Sequence, residues 1–270
     1  MLYLCMEFNH KNMQTVLFHE TIFGPIHSRR LGVSLGVNLM PNDGKICSFD
    51  CVYCEAGLNA QGAGKSGIPS RESVKKALNR KLKAMTEAGE NLDVITFSGN
   101  GEPTLHPQFK EIVMDVIMLR DRFFPMAKVS VLSNSTMLKK ESVVEALNKV
   151  DNNILKLDSA IPSTFIAINQ PTSKDVIPEG VVAHLKDFNG KCIVQTMFLR
   201  GENNGKKIDN TTDAEIEALI DAYKVIAPKE VMIYSIDRKT PIESLEKVEK
   251  EELEAIGKRI EAAGIKVTVS

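Results

Sequence analysis

Residues 93–123, DVITFSGNGEPTLHPQFKEIVMDVIMLRDRF, contain the repeating unit of this fold in one stretch. Asp93–Ser98 is apolar in the middle and polar at its ends, which is typical of a strand buried on both faces of a parallel sheet. A loop with two glycines follows, and Pro107–Phe123 then has the apolar spacing of an amphipathic helix. The stretch therefore predicts a strand, a loop and a helix in series.

The same alternation runs along most of the chain. The predicted strands are Ser34–Leu39, Asp93–Ser98, Lys128–Ser133, Asn153–Asp158, Lys191–Met197, Glu230–Ile236 and Lys266–Ser270. The predicted helices are Arg71–Ala88, Pro107–Phe123, Lys139–Val150, Val176–Phe188, Thr212–Val225 and Ile242–Ala263. Six strand–helix units with right-handed crossovers predict an α/β fold, a partial (βα)6 TIM-type barrel with a parallel sheet that is open on one side.

Local signals support these boundaries. Residues 212–215 and 240–243 each have the spacing of a capping box before an apolar run, and Gly89 and Gly264 stand where a helix should end. We expect residues 1–20 to be an N-terminal extension and residues 21–270 to form a single domain.

Composition limits the class of protein. Of the 270 residues, 43% are apolar, which is enough for a sizeable core, and the net charge of −1 provides no strong field for nucleic acid or anionic membranes. No apolar run reaches the roughly 18–20 residues that span a bilayer. The five cysteines are an odd number, and three of them lie within eight positions, which argues against a disulfide framework. These features predict a cytoplasmic protein that does not associate with membranes.

The three clustered cysteines are Cys47, Cys51 and Cys54, with the spacing C-x3-C-x2-C. A structural zinc ion needs four ligands, and a [4Fe–4S] cube has four corners, each usually held by a cysteine. Three thiolates leave one corner of a cube open to a small molecule. The alternative is a zinc-binding or electron-transfer module without enzymatic activity, in which His106 or Cys192 is the fourth ligand. Otherwise Cys192 is expected to be a small buried hydrophobic residue.

Residues 47–54, CSFDCVYC, resemble the cluster motif of the radical S-adenosylmethionine (SAM) superfamily. Residues 23–32, FGPIHSRRLG, and 34–38, SLGVN, resemble a branch described as wybutosine-synthase-like or Fe–S oxidoreductases, and the resemblance extends over about residues 20–240. It implies the same (βα)6 fold, here as a radical SAM domain. It also implies a [4Fe–4S] cluster on the three cysteines, with SAM bound at the open iron.

The implied reaction is a one-electron reductive cleavage of SAM to methionine and a 5′-deoxyadenosyl radical, which takes a hydrogen atom from a substrate. The implied electron donor is a protein such as flavodoxin or ferredoxin. The substrate stays open among a modified tRNA base, a glycyl-radical enzyme, a small metabolite and a peptide.

The loop after the second strand, with Gly99, Asn100, Gly101 and Glu102, resembles the GGE motif that binds the amino group of SAM in this superfamily. The two glycines would let the backbone approach a ligand closely, and a carboxylate forms strong charge-assisted bonds with an ammonium group. The alternative is a simple turn into the helix near Pro107.

Other candidates lie at the carboxyl ends of later strands, where barrel enzymes place their chemistry. The resemblance implies that Asn134 lies near the ribose of SAM and that Lys156 meets its carboxylate. Asp158 would face the same side as Lys156 and either pair with it or face the substrate. The alternatives are helix capping for Asn134 and a structural ion pair for Lys156 and Asp158.

Gln195 and Met197 share one face of the fifth strand, where contact with adenine and ordinary core packing are both open. The resemblance places Tyr53 against the cluster and the adenine, with ordinary loop packing as the alternative. Tyr234, Asp237 and Arg238 end the sixth strand and are candidates on the substrate side.

Three further segments are charged or rich in glycine. Arg29 and Arg30 would hold an anionic substrate or cover the bottom of the barrel. Gly64–Ser66 is not a phosphate loop because Asn59 stands where a first glycine is needed, so residues 59–70 are expected to form a mobile flap over the site.

A basic run could contact RNA phosphates, but we favour its interpretation as a solvated helix face. Its residues are Arg71, Lys75, Lys76, Arg80, Lys81 and Lys83.

Overall fold

One mostly parallel sheet forms the centre of the protein. The computed structural model describes residues 16–28 and 32–270, so Arg29, Arg30 and most of the predicted extension lie outside the described residues. The strands are β1 (Ile22–Ser28), β2 (Gly32–Val37), β3 (Val94–Phe97), β4 (Lys128–Ser133), β5 (Asn152–Lys156), β6 (Ile193–Asn203), β7 (Lys206–Asp209), β8 (Glu230–Ser235), β9 (Leu245–Lys247) and β10 (Val267–Val269).

The strand order is that of an open barrel. The sheet follows the order β1-β2-β3-β4-β5-β6-β8-β10, and β7 and β9 pair with β6 beside this path. All neighbours from β2 to β10 on the path are parallel, whereas β1 is antiparallel to β2. Strands β1 and β10 form the two edges of an open side, which confirms the predicted partial (βα)6 TIM-type barrel.

Helices connect the parallel strands. They are α1 (Arg71–Glu87), α2 (Phe109–Phe123), α3 (Glu141–Leu147), α4 (Pro162–Asn169), α5 (Pro178–Lys186), α6 (Asp213–Ile226) and α7 (Lys250–Ala262). The hydroxyl of Thr212 accepts a hydrogen bond from the Glu215 amide, which confirms Thr212 as a helix N-cap. The reciprocal bond of a capping box is replaced, because the Glu215 carboxylate accepts from the Ser159 hydroxyl. Gly89 and Gly264 have φ angles of +66° and +81° directly after helix ends, as predicted.

The predicted helix over Ile242–Ala263 is wrong in its first part. Leu245–Lys247 is strand β9, which pairs antiparallel with β6, and α7 begins only at Lys250. Thr240 does not cap a helix, because its hydroxyl donates to the Ile242 carbonyl. Pairing with the extended end of β6 satisfies the backbone of this segment, so a tertiary contact overrides the local helix signal.

The two faces of the parallel strands differ. Large apolar side chains on one face are fully buried in the core; they include Leu35, Ile95, Val131, Leu155 and Val231. The alternating residues face the barrel interior and are mostly smaller or polar; they include Ser34, Gly36, Thr96, Ser98 and Gln195. These inward residues leave a cavity of about 770 Å³ inside the barrel. Side chains from both edge strands also line the cavity, so the open side of the barrel leads into it.

Candidate active site

The cysteine loop follows β2 and is held on one side by the loop after β3. Ile46 forms a parallel bridge with Gly101: the Ile46 amide donates to the Asn100 carbonyl at 3.2 Å, and the Glu102 amide donates to the Ile46 carbonyl at 3.1 Å. A Cβ atom on Gly101, where φ is +144°, would lie 1.8 Å from the Ile46 oxygen. The close approach that requires this glycine is therefore to the backbone of the cysteine loop, whereas the sequence suggested an approach to a ligand.

The C-terminal end of α4 holds the other side of the cysteine loop. The Val52 amide donates to the Ile168 carbonyl at 3.0 Å, and the Asp50 amide donates to the Asn169 carbonyl at 3.0 Å. The Thr172 amide donates in turn to the Ser48 carbonyl at 2.9 Å. Helix α4 was not predicted from the sequence, yet it fixes the backbone of the three-cysteine segment.

The three cysteines do not form a site for a single metal ion. Within residues 16–28 and 32–270, no three His, Cys, Asp or Glu side chains converge on a point where one ion could bind. A [4Fe–4S] cube does not need such convergence, because each cysteine binds a different iron atom. Three thiols on one loop thus fit a cube with one open corner.

The two residues considered as a fourth zinc ligand are engaged elsewhere. His106 Nε2 lies 2.8 Å from the Pro69 carbonyl oxygen, and its Nδ1 accepts a hydrogen bond from the Gln108 amide. Cys192 directly precedes β6, is fully buried as predicted, and its Sγ lies 3.8 Å from the Leu185 carbonyl oxygen. Neither side chain is available to close a tetrahedral site with the cysteine loop.

The environment of the cysteine loop favours neutral thiols until a metal centre binds. Burial raises the pKa of Cys47 to about 12, and the charge of Glu102 adds to the effect. Burial likewise raises the pKa of Cys51 to about 11, although the Lys156 ammonium opposes it. Because thiolates are the ligands of iron, these thiols would lose their protons when the metal binds.

A buried cation lies beneath the loop. Lys45 is almost fully buried, and its Nζ donates to the Gly57 carbonyl at 2.7 Å and lies 3.3 Å from Asp50 Oδ1. Burial alone would lower the pKa of Lys45, but the neighbouring Cys54 and Cys47 groups raise it above its usual value. Lys45 therefore carries a positive charge where three thiolates would gather. No motif or spacing in the sequence marks Lys45.

Asp158 links the cysteine loop to the barrel. Its Oδ2 accepts hydrogen bonds from the Tyr53 hydroxyl at 2.5 Å and from Asn169 Nδ2 at 2.6 Å, and its Oδ1 accepts from the Met197 amide at 2.9 Å. Lys156 Nζ lies 3.5 Å from the same Oδ2, so of the two alternatives left open for Asp158 the structure shows the ion pair with Lys156. The carboxylate is fully buried, and its protein partners use both of its oxygens.

Lys156 and Tyr53 contact each other next to this carboxylate. Lys156 Nζ donates to the Tyr53 hydroxyl and lies 4.9 Å from the centroid of the Tyr53 ring. Burial would lower the pKa of Lys156, but Asp158 and Tyr234 raise it well above its usual value. Burial together with Asp158 raises the pKa of Tyr53. The site thus keeps a charged ammonium group and a neutral phenol side by side.

Glu102 is engaged by its own loop and by the end of β4. Its Oε1 accepts from the Thr104 amide and hydroxyl and from the Ser133 hydroxyl, and its Oε2 accepts from the Asn134 amide at 2.6 Å. Burial raises its pKa, although these donors oppose the rise. The contact of Glu102 with the amino group of SAM stays a prediction, since the structure shows a carboxylate surrounded by protein donors.

Asn100 and Gly99 contact neighbouring loops. The side-chain amide of Asn100 accepts from the Phe18 amide and donates to the Phe18 and Pro41 carbonyls, each at 2.8 Å. A Cβ atom on Gly99 would lie 2.5 Å from Asn38 Oδ1. The role predicted for Asn100 at the cofactor stays a prediction; its observed contacts join two segments that precede the cysteine loop.

Asn134 reaches the cysteine loop itself. Its Nδ2 donates to Ser48 Oγ at 2.9 Å and lies 3.5 Å from Cys47 Sγ, and its Oδ1 accepts from the amide and hydroxyl of Thr136. Its predicted contact with ribose is untested, while the bond to a cysteine sulfur was not anticipated.

The remaining candidates face the barrel cavity or its border. Gln195 lines the cavity, and Met197 is buried and bonded to Asp158 through its amide. The substrate-side candidates Tyr234, Asp237 and Arg238 also line it. Arg238 Nη1 lies 2.6 Å from a carboxylate oxygen of Glu55, the residue directly after Cys54.

The expected flap is attached to the loop that precedes the cysteines. Asp43 accepts hydrogen bonds from the Lys65 amide and from the amide and hydroxyl of Ser66. These bonds lower the pKa of Asp43 to about 2, and the bond from the Ser66 hydroxyl has the largest effect.

In the basic run, Arg71 and Lys75 both pair with Asp115 on α2.

Comparison with known proteins agrees with this geometry. The sequence profile described as "Radical SAM superfamily" matches residues 42–209, which include the cysteine loop and strands β3 to β6. The chain belongs to the radical SAM superfamily. A [4Fe–4S] cluster and SAM are the cofactors of this superfamily. No helix of the described residues is long and apolar enough to cross a membrane.

Several curated proteins are similar to this member of the radical SAM superfamily. One is the UPF0026 protein slr1464 of Synechocystis sp., which is 32% identical over 82% of this chain and 77% of its own length. Another is named GTPase Obg, from Brachyspira hyodysenteriae, and is 28% identical over 94% of this chain but only 35% of its own length. The chain thus spans from about a third to about three quarters of the relatives it matches.

Solved structures show the same fold at low identity. A radical SAM methyltransferase from Sphaerobacter thermophilus superposes with a TM-score of 0.64 at 14% identity, covering 88% of this chain and 65% of that protein. Streptococcus suis SuiB bound to S-adenosylmethionine superposes with a TM-score of 0.60 at 16% identity, covering 87% of this chain and 49% of SuiB. TYW1 with a lysine–pyruvate adduct superposes with a TM-score of 0.58 at 15% identity, covering 85% of this chain and 73% of TYW1.

Proposed function

We propose that Cys47, Cys51 and Cys54 hold the [4Fe–4S] cluster and that the chain cleaves SAM reductively to abstract hydrogen from a small anionic substrate. The observation that carries this proposal is the clamped loop of three thiols, next to a barrel cavity of about 770 Å³. When bound, the reduced cluster would supply one electron to SAM, giving methionine and a 5′-deoxyadenosyl radical that takes a hydrogen atom from the substrate. The proposed source of that electron is a protein such as flavodoxin or ferredoxin.

The residues of the chain would bind and orient SAM. Lys156 keeps its positive charge beside Tyr53, which suits the carboxylate of SAM. Gln195 faces the cavity and offers both a donor and an acceptor to an adenine or a substrate. Asp158 would act through neighbouring residues. It orients Tyr53 and Asn169, and because it also accepts from the Met197 amide it fixes the position of the cysteine loop relative to β6.

The cavity supports a small substrate. Its volume of about 770 Å³ falls within the range of roughly 300–1,000 Å³ found for small-molecule sites. At its border Arg238 pairs with Glu55, and both side chains are about half exposed. An exposed ion pair of this kind contributes only about 0–1 kcal/mol, so a carboxylate or phosphate group of a substrate could replace Glu55 on the guanidinium. A tRNA substrate has less support, because Arg71 and Lys75 on the basic helix face are already paired with Asp115.

The test is anaerobic reconstitution with iron and sulfide, followed by reduction with dithionite in the presence of SAM. We expect a brown protein with absorption near roughly 400 nm that forms 5′-deoxyadenosine, measured by liquid chromatography with mass spectrometry. Alanine variants of Cys47, Cys51 or Cys54 should lose the cluster and fall to background. The matched control is Cys192→Ala, which removes a buried thiol outside the loop. Protein with a full cluster that forms no 5′-deoxyadenosine would contradict the proposal.

A further inference from the structure

Asn169 is a buried carboxamide at the end of α4, and neither the sequence motifs nor the proposed SAM site accounts for it. Its Nδ2 lies 2.6 Å from Asp158 Oδ2 and 3.5 Å from Cys51 Sγ. An amide nitrogen carries two hydrogens, so both contacts can be hydrogen bonds at once. Its backbone carbonyl also accepts the Asp50 amide, which holds the residue against the cysteine loop.

The neighbouring carboxylate decides which way this amide points. A carboxylate only accepts hydrogen bonds, so the nitrogen of Asn169 must face Asp158, and its second N–H is then directed to the sulfur. The opposite atom, Asn169 Oδ1, is buried and has no hydrogen-bond partner among the described residues. An unpaired buried carbonyl is destabilising, so an asparagine here is a poor choice for stability alone. A donor directed at Cys51 explains why an amide stands at this position.

We propose that Asn169 is a positioning residue that raises the reduction potential of the cluster by donating a hydrogen bond to the sulfur of Cys51. The inference rests on the proposed assignment of the cluster to Cys47, Cys51 and Cys54. Reduction adds one electron, and part of the added negative charge resides on the cysteine sulfurs. A fixed N–H group stabilises the reduced state more than the oxidised state, and hydrogen bonds to sulfur are a recognised determinant of cluster potential. Burial strengthens the effect because little water competes for the sulfur.

The test replaces the amide by an apolar group of similar size. Asn169→Leu in the reconstituted protein should shift the potential, measured by redox titration with electron paramagnetic resonance, to a more negative value. We expect the ratio of reduced to oxidised cluster at a fixed potential to fall about tenfold, which for a one-electron couple is about 59 mV. Asn169→Ser, which keeps a shorter hydroxyl donor, should restore part of the shift.

The matched control is Asn153→Leu. Asn153 is also a buried asparagine, and its Nδ2 donates to the Leu147 carbonyl at 3.2 Å, away from the cysteine loop. This variant should lose some stability and keep the potential of the unmodified protein. Asn169→Leu protein with full iron and sulfide content and an unshifted potential would overturn the inference, since a merely structural asparagine would give that result.

A second measurement needs no change at Asn169. Protein labelled with 15N-asparagine should show a hyperfine coupling between the reduced cluster and a side-chain nitrogen, and that coupling should persist in an Asn134→Ser variant. Its absence there would overturn the inference even if Asn169→Leu failed to bind iron. Absence of any [4Fe–4S] signal in the unmodified protein would instead contradict the cluster assignment, so the two failures are distinguishable.

Discussion

The two faces of strand β5 hold the protein together in different ways. On one face, Leu155 is fully buried among apolar side chains in the core. On the other face, Ile154 lines the barrel cavity and Lys156 reaches Tyr53, with Asp158 just beyond the end of the strand. Apolar packing is non-directional, whereas buried polar groups must each find a partner. The apolar face of β5 therefore contributes mainly to the stability of the sheet, and its polar face mainly positions the residues of the site.

The largest effect should follow from Asp158→Ala, which breaks the polar face. The change removes the acceptor of Tyr53, Asn169 and the Met197 amide and leaves the Lys156 charge without its partner. We expect a loss of about 3–5 kcal/mol in the free energy of unfolding, measured with urea, together with loss of SAM cleavage. Asp221→Ala, at an exposed position on α6, should change stability by less than about 0.5 kcal/mol. A stable Asp158→Ala protein with normal activity would show that the site does not need this carboxylate.

A somewhat smaller effect should follow from Leu155→Ala, which weakens the apolar face. The cavity left in the core should cost about 3 kcal/mol. At a temperature where the variant is folded, 5′-deoxyadenosine formation per folded molecule should remain that of the unmodified protein, because the change lies on the side of the sheet opposite the site. A fall in activity that exceeds the unfolded fraction would show that the two faces are not separate.

The smallest effect should follow from Gln195→Leu, which alters a cavity-facing residue of β6. We expect the free energy of unfolding to change by about 1 kcal/mol or less. The KM for SAM should rise about fivefold with kcat nearly unchanged, as expected for one lost hydrogen bond of about 1 kcal/mol. Steady-state kinetics with Gln108→Leu as an exposed control would measure this. An unchanged KM would show that Gln195 packs in the core and does not contact SAM.

Local patterns predicted most elements of the fold, but not all of them. The strand predicted over Asp93–Ser98 and the helix start at Thr212 depend on neighbouring residues alone, and the structure contains them as β3 (Val94–Phe97) and the N-cap of α6. The segment from Ile242 failed because its backbone pairs with the far end of β6, a contact that no local window contains. Helix α4 was missed because it is short and lies between clearer elements.

The candidate site was only partly accessible to the same reasoning. The C-x3-C-x2-C spacing marks the loop, and the motif around Gly101 marks the next loop. The contact between Asn169 and Cys51 joins residues 118 positions apart. The Lys45 cation and the partners of Asp158 likewise have no signal in residue spacing.

The spacing of residues along the chain was sufficient to predict an open parallel barrel of six strand–helix units and a loop with three thiols after the first parallel strand. Both follow from side-chain chemistry repeated at short range, which any stretch of chain carries with it. Which amides, hydroxyls and ammonium groups surround those thiols depends on how the whole chain packs. A buried polar group is satisfied by whichever partner the packed chain brings within hydrogen-bond distance, and that partner is generally far away in the sequence.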